Sequence, residues 1–212
     1  MKTGKAVRVA LCGTAVAVLV VALTACGTGP KSGSADDGVP VPVFGHWFSY
    51  DDSGDGGTST ITMTEVDEEG AEARHFGGFL SDGIENSYVA FGFELDDRTM
   101  ELFRSATALS FMVRGDGQRY VIQLLSGTVK DHGHFLYTFK TEDGDAVRIT
   151  VPLAHFFQPG WAQPVGRFNA QSLIGMQWSI HDEIRPGNYS LTVWDFRLHV
   201  PEGTEIPPVV SN

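Results

Sequence analysis

From Trp47 to Val200 the chain alternates apolar and polar residues with a period of two, in short runs separated by Gly, Asp, Asn and Pro. That period constrains the fold most, because a strand with one wet face repeats at two whereas an amphipathic helix repeats near 3.6. In Ser59–Glu65, Ile61 and Met63 alternate with Thr60, Thr62 and Thr64; in Tyr88–Phe93, Val89, Phe91 and Phe93 alternate with small residues. Leu109, Phe111 and Val113 share one face of Ala108–Arg114, and Gly115-Asp116-Gly117 then leads into Arg119–Leu125. An Asp-Gly pair between alternating runs predicts a hairpin. Asp143-Gly144 repeats the signal between Phe135–Thr141 and Ala146–Val151, and Leu173–His181 and Ser190–Val200 follow. About ten strands and no amphipathic helix predict an all-β chain, an antiparallel β-sandwich or barrel. Pro152–Gly160, with Phe156 and Phe157 between prolines, reads as a packed turn or a single helical turn.

The N-terminus is different. Lys2, Lys5 and Arg8 precede a nearly unbroken apolar run from Val9 to Leu23, with no acid before Asp36, which is the layout of a secretory signal peptide. The run is shorter than the ~20 residues of a spanning helix. Leu23-Thr24-Ala25-Cys26-Gly27 resembles the lipobox of bacterial lipoproteins, where cleavage precedes the cysteine and its sulfur receives diacylglycerol. On this reading residues 1–25 are the signal peptide and Cys26 carries the lipid, so that the protein sits on the extracytoplasmic face of a cell membrane. Cys12 leaves with the signal, so the folded part has no disulfide, thiolate zinc site or thiol nucleophile. Residues 26–42, rich in Gly, Ser, Pro and Asp, read as a tether to a domain over 43–201, and residues 202–212 as a tail.

The formal charge is −11, and cleavage before Cys26 removes Lys2, Lys5 and Arg8 but no acid. Such an acidic chain does not neutralise phosphates as nucleic-acid binders do. With 42% hydrophobic and 19% charged residues it is also too apolar for a disordered polyanion. There is no Gly-x-Ser-x-Gly elbow, His-Glu-x-x-His, phosphate loop or dinucleotide fingerprint, so a noncatalytic role is expected.

Asp51-Asp52-Ser53-Gly54-Asp55-Gly56 has the alternating oxygen donors of half a calcium loop, although Thr62 stands where the bidentate Glu belongs. Asp51 and Asp55, completed by Asp195, are the candidate ligands of a structural Ca2+; a solvated acidic turn is the alternative. His132-Gly133-His134 lacks a third metal ligand nearby, and in Arg114-Gly115-Asp116 the turn itself requires the Gly and Asp. Trp47, Trp161, Trp178 and Trp194 read as core, Trp194 in phase with Phe196 and Leu198. Tyr50, Tyr88, Tyr120 and Tyr137 could stack on a sugar face while keeping their hydroxyls wet. Arg119 and Gln123 share a strand face and could donate to vicinal hydroxyls, or simply form the wet side of a sheet.

Leu109-Ser110-Phe111-Met112-Val113-Arg114-Gly115-Asp116-Gly117, Tyr120-Val121-Ile122-Gln123-Leu124 and Phe135-Leu136-Tyr137-Thr138-Phe139 come in a telling order. Val151-Pro152-Leu153 with Phe156 and Trp161, and Leu191-Thr192-Val193-Trp194-Asp195-Phe196-Arg197-Leu198, then close the series. With Trp47-Phe48-Ser49-Tyr50-Asp51-Asp52 at the start, this stretch resembles the family 11 carbohydrate-binding modules and the related complex I intermediate-associated protein 30 domains. The resemblance implies a galactose-binding-like jelly roll. In the carbohydrate-binding branch it implies a β-glucan chain in the concave face, with Tyr88, Arg119, Gln123, Asp131, His134 and Tyr137 as the residues of this chain that would hold it. Strand parity sets His134 and Tyr137 on opposite faces unless a bulge intervenes. The other branch assists assembly of a respiratory complex, which implies a protein-interaction module instead. The expected partners are therefore a polysaccharide or a protein, with the lipid anchor on the membrane, no nucleic acid, and a monomeric chain.

Overall fold

The computed structural model describes residues 38–41, 46–181 and 186–206. The signal peptide, Cys26, most of the tether and the last six residues lie outside them. Among the described residues, two antiparallel sheets enclose one apolar core. The first sheet is ordered β3 (Thr60–Glu68), β4 (Ala71–Leu80), β11 (Gly187–His199), β6 (Ala108–Asp116), β9 (Asp143–Pro152), and β1 (Val39–Pro40) also pairs with β11. The second is ordered β2 (Trp47–Asp51), β5 (Tyr88–Glu94), β10 (Leu173–His181), β7 (Arg119–Ser126), β8 (Phe135–Lys140). From β5 onward the chain passes repeatedly from one sheet to the other, which gives the expected jelly roll.

Period two sets which side chains meet between the sheets. In β10, Met176, Trp178 and Ile180 are fully buried in the core. The Trp178 ring lies 5.4 to 6.3 Å by centroid from Phe196, Phe111, Phe91, Phe93 and Trp47, so both sheets meet on one indole. Phe76 stacks on Phe91 beside it, and the Arg74 guanidinium lies 5.6 Å over the Trp47 ring. In β7 the core side holds Tyr120, Ile122 and Leu124, leaving Arg119, Val121, Gln123 and Leu125 for the outer face.

The two Asp-Gly signals are not hairpins. β6 and β7 lie in different sheets, and so do β8 and β9: the first pair stands where the chain leaves β6 to cross the sandwich, and Asp143-Gly144 opens β9 just after the second crossing. Asp116 holds the first crossing: Oδ1 accepts from the Gln118 N–H and Oδ2 from the Ser190 N–H, while Tyr120 Oη lies 3.1 Å from Oδ1 and 3.0 Å from the Ser190 carbonyl. The carboxylate thus ties the turn to the neighbouring strand β11 of its own sheet and, through Tyr120, to the first residues of β7 in the other sheet. The Thr141 N–H donates to the Gln118 carbonyl at 3.0 Å, which locks the second crossing against the first. The two-residue hairpin is at Glu69-Gly70, with φ of 57° and 85°, and joins β3 to β4.

Other expectations also shift. Residues 39–41 belong to the fold and not to the tether: Val39 pairs with Leu198, and Val41 is buried with its N–H on the Phe196 carbonyl. A helix, α1 (Asp97–Ser105), is capped by the Asp96 carboxylate accepting from the Thr99 N–H; it is too short to show a helical period in sequence. Trp194 is buried but lies outside the core cluster, opposite Met112, because a bulge at Asp195 (φ 45°) breaks its phase with Phe196 and Leu198. Tyr120, expected as a stacking residue, is fully buried.

Phe111 touches Trp178 and Phe139 across the sandwich and Phe196 on the neighbouring strand of its own sheet. Phe111→Ala is therefore expected to lower stability by about 3–5 kcal/mol, read as a reduced urea midpoint at unchanged m-value.

Candidate functional site

The outer face of the second sheet forms a groove. Its floor is a chain of hydrogen bonds across three strands: Tyr50 Oη donates to Gln177 Oε1 at 3.0 Å, and Gln177 Nε2 donates to Gln123 Oε1 at 2.7 Å. Gln123 Nε2 then reaches Ser179 Oγ at 3.4 Å. Gln123, Gln177 and Ser179 face outward because their neighbours in sequence are the core residues Ile122, Leu124, Met176, Trp178 and Ile180. The groove comprises two adjoining segments of about 950 and 790 Å3, which share Asp55, Tyr88, Gln123, His132, His134 and Trp161.

One wall rests on a buried charge. Asp52, at the start of the single turn Asp52–Asp55, has no exposed surface; its Oδ1 accepts from the Ser59 N–H at 3.0 Å and Oδ2 from the Ser59 hydroxyl at 2.7 Å. Burial would raise this carboxyl, but the bonds from Ser59, the Tyr88 N–H and the Ser87 hydroxyl outweigh it and hold the pKa below its ordinary 3.8. Gly57 is required beside it, since a Cβ there would stand 2.2 Å from the Asp52 carboxyl carbon. By tying the turn to the start of β5, Asp52 sets Asp55 against Tyr88, whose hydroxyl donates to Asp55 Oδ2 at 3.0 Å. Burial, with the bond and charge of Asp55, pushes the Tyr88 pKa up to about 12. Tyr50 meets Tyr88 edge-on at 6.0 Å and stacks on Phe48 at 6.2 Å, so this side of the groove is aromatic.

The opposite wall is Trp161, 69% exposed, together with His132 and His134. Asp131 joins the two loops that carry them, accepting from the Gly133 N–H at 3.1 Å and the Gln163 N–H at 2.5 Å. Those two backbone bonds hold its carboxyl below the usual carboxylate range. Gln158 adds a second tie, donating to the Gly133 carbonyl and accepting from the Val165 N–H. His134 Nδ1 accepts from the Ser126 N–H at 3.2 Å, which leaves Nε2 to carry the proton of the neutral ring. Burial, and then the charge of His132, lower the His134 pKa against a smaller opposing effect of Asp131. The ring is thus a neutral donor at neutral pH.

Of the residues expected to hold a ligand, Tyr88, Gln123 and His134 line the groove. Asp131 supports it from behind. Arg119 shares the outer face of β7 but lies beyond the groove lining, two residues past Val121. Tyr137 faces the other way, packed against the core and 6.1 Å from Phe156, because no bulge offsets the parity of β8. The residues not foreseen are Gln177 and Ser179, opposite Gln123 and Val121 on the neighbouring strand, and Trp161, expected in the core. Trp161 lies between Pro159 and Pro164, outside any alternating run, and that absence of a strand face was its one sequence signal.

The three carboxylates proposed for calcium do not form a cation shell. Asp51 accepts from the Ser53 N–H, Asp55 from Tyr88, and Asp195 is paired with the guanidinium groups of Arg148 and Arg197. Burial opposes ionisation of Asp195, but the bonds from Arg197 and Arg148 prevail and lower its pKa. Among the described residues no group of three or more His, Cys, Asp or Glu is placed to bind a metal.

Two facing antiparallel sheets with a groove across one outer face give the chain a jelly-roll fold. It superposes on the family 11 carbohydrate-binding module of a cellulosomal cellulase of Clostridium thermocellum with a TM-score of 0.56, at 16% identity, over 73% of this chain and 88% of that one. A family 30 carbohydrate-binding module gives a TM-score of 0.51 at 13% identity, over 79% of this chain and 97% of that one. The sequence profile of the complex I intermediate-associated protein 30 family matches residues 41–193, and the chain belongs to that family. No curated protein matches it by sequence.

Asp52→Asn removes a buried acceptor charge and is expected to lower stability at pH 7 by about 1–3 kcal/mol. Because the folded pKa lies below the ordinary 3.8, this stabilisation is present above that value and lost as pH falls through the folded pKa. Urea titrations of both proteins from pH 7 to pH 3 should therefore show the difference shrinking only below about pH 4.

Proposed function

We propose that this chain is a noncatalytic module that binds an uncharged, β-glucan-like polysaccharide along the groove of its second sheet. The observation that carries this reading is one groove lined by the exposed Trp161 ring, the Tyr50–Tyr88 pair and a floor of hydrogen-bonded amides. Sugars present apolar ring faces and ranks of hydroxyls, and aromatic walls with amide, hydroxyl and neutral imidazole groups complement both. No Lys or Arg lines the groove, whereas Asp55 and Glu85 do, which disfavours an anionic polymer. The fold likeness to carbohydrate-binding modules supports the same reading.

Calorimetry with soluble β-glucan oligosaccharides tests it. Trp161→Ala and Gln123→Ala should each weaken binding by about 2 kcal/mol, roughly thirtyfold in Kd, while Tyr137→Phe leaves it unchanged. No heat with any sugar, or full affinity after Trp161→Ala, refutes the reading. Family membership favours a second reading, a protein-interaction module in assembly of a larger complex. Under that reading, affinity capture from a membrane extract recovers a stoichiometric partner whose binding the sugars do not displace.

The lipobox-like Leu23-Thr24-Ala25-Cys26 supports a lipid anchor on the extracytoplasmic face of a cell membrane. Cys26→Ser is expected to move the protein from the membrane fraction to the soluble fraction; unchanged sedimentation with membranes counts against the anchor.

A further inference from the structure

A second cavity, of about 830 Å3, lies away from the groove where α1 meets the segment 153–171. Its charge is the reverse of the groove's, where Asp55 and Glu85 stand. Phe135 and Phe156, buried in the core at 2% and 5% exposure, back the half-buried Phe168, whose ring lies 5.4 Å from Phe135 in edge contact and 6.5 Å from Phe156. Phe157, 56% exposed, stands at the same cavity. Arg104 and Arg167 both line it, and no Asp or Glu does, although the chain carries 26 acids against 15 Lys and Arg. Arg104 is paired with Glu101, one helical turn earlier. Arg167 is exposed and has no ion-pair partner among the described residues.

We infer that this cavity is a ligand site for an aromatic carboxylate, with its ring on Phe157 and Phe168 and its carboxylate on Arg167. The volume falls within the range of small-molecule sites, which is on the order of 300–1,000 Å3. The exposed Phe157 and the half-buried Phe168 offer ring surface to a further aromatic ring. A guanidinium at an apolar mouth forms charge-assisted, bidentate bonds to a carboxylate and none of that kind to an alcohol. The segment 156–168 lies between the two sites: Phe157 lines this cavity and Trp161 the groove. The inference does not depend on the sugar reading.

Amide NMR titration of the full chain with 4-phenylbutyrate, 4-phenyl-1-butanol and octanoate is the test. Saturable shifts at Arg167 and Phe168 are expected with phenylbutyrate, with binding about tenfold weaker for the alcohol and for Arg167→Gln. Because Arg167 is exposed, the variant should keep the wild-type Tm. Phe168→Ala should also weaken binding, and is read alongside its own Tm. β-Glucan titrations of Arg167→Gln should match wild type, whether or not the groove binds sugar. Equal affinity for acid and alcohol, an unaffected Arg167→Gln, absence of saturable shifts, or octanoate binding as tightly as phenylbutyrate would overturn the assignment.

Discussion

The packing of Trp178 between the two sheets is the contact on which the rest of the structure depends. It lies in β10, at the middle of the second sheet, and meets aromatic rings from both layers. Burying so large a side chain fixes the register of β10, because a slip of one residue would exchange Trp178 for Gln177 or Ser179. The same constraint builds the groove. With Met176, Trp178 and Ile180 inside, Gln177 and Ser179 must face outward, where they meet Gln123 and Tyr50.

Two carboxylates perform for the loops what the indole performs for the sheets. Asp52 and Asp131 each accept hydrogen bonds from neighbouring segments, and both are more acidic than an ordinary aspartate as a result. A carboxylate satisfied in this way ties chain segments together without direct contact to a ligand. Asp52 fixes the wall that holds Asp55 and Tyr88, and Asp131 the wall that holds His134 and Trp161. The groove is consequently formed before any ligand arrives, which reduces the ordering entropy of binding. Asp116 uses the same chemistry at the crossing between the sheets.

Much of the fold was legible because strand parity is a local property. β10 begins and ends where its alternation does, and the inward residues of β6 and β7 follow their pattern. β4 was harder to read, because Gly77 and Gly78 interrupt its alternation. The close packing of Gly78, where a Cβ would stand 2.0 Å from the Thr60 carbonyl oxygen, is visible only once β3 lies beside it. Tyr88, Gln123 and His134 could be picked out as polar residues on outward positions or strand edges. Tyr137 lies on the inward parity of β8, and Trp161, outside any alternating run, has no periodicity that signals its exposure.

By itself the sequence determined that the chain is an all-β sandwich or barrel and which side chains of most strands lie inward. These follow from alternation and composition, which act over a few residues. Only the tertiary structure decided that the Asp-Gly pairs stand at crossings between sheets, that Asp195 is committed to two arginines, and that Gln177, Gln123, Tyr50 and Trp161 share one groove. The reason is distance along the chain: Tyr50 and Gln177 are 127 residues apart, and their hydrogen bond exists only when β5 lies between β2 and β10.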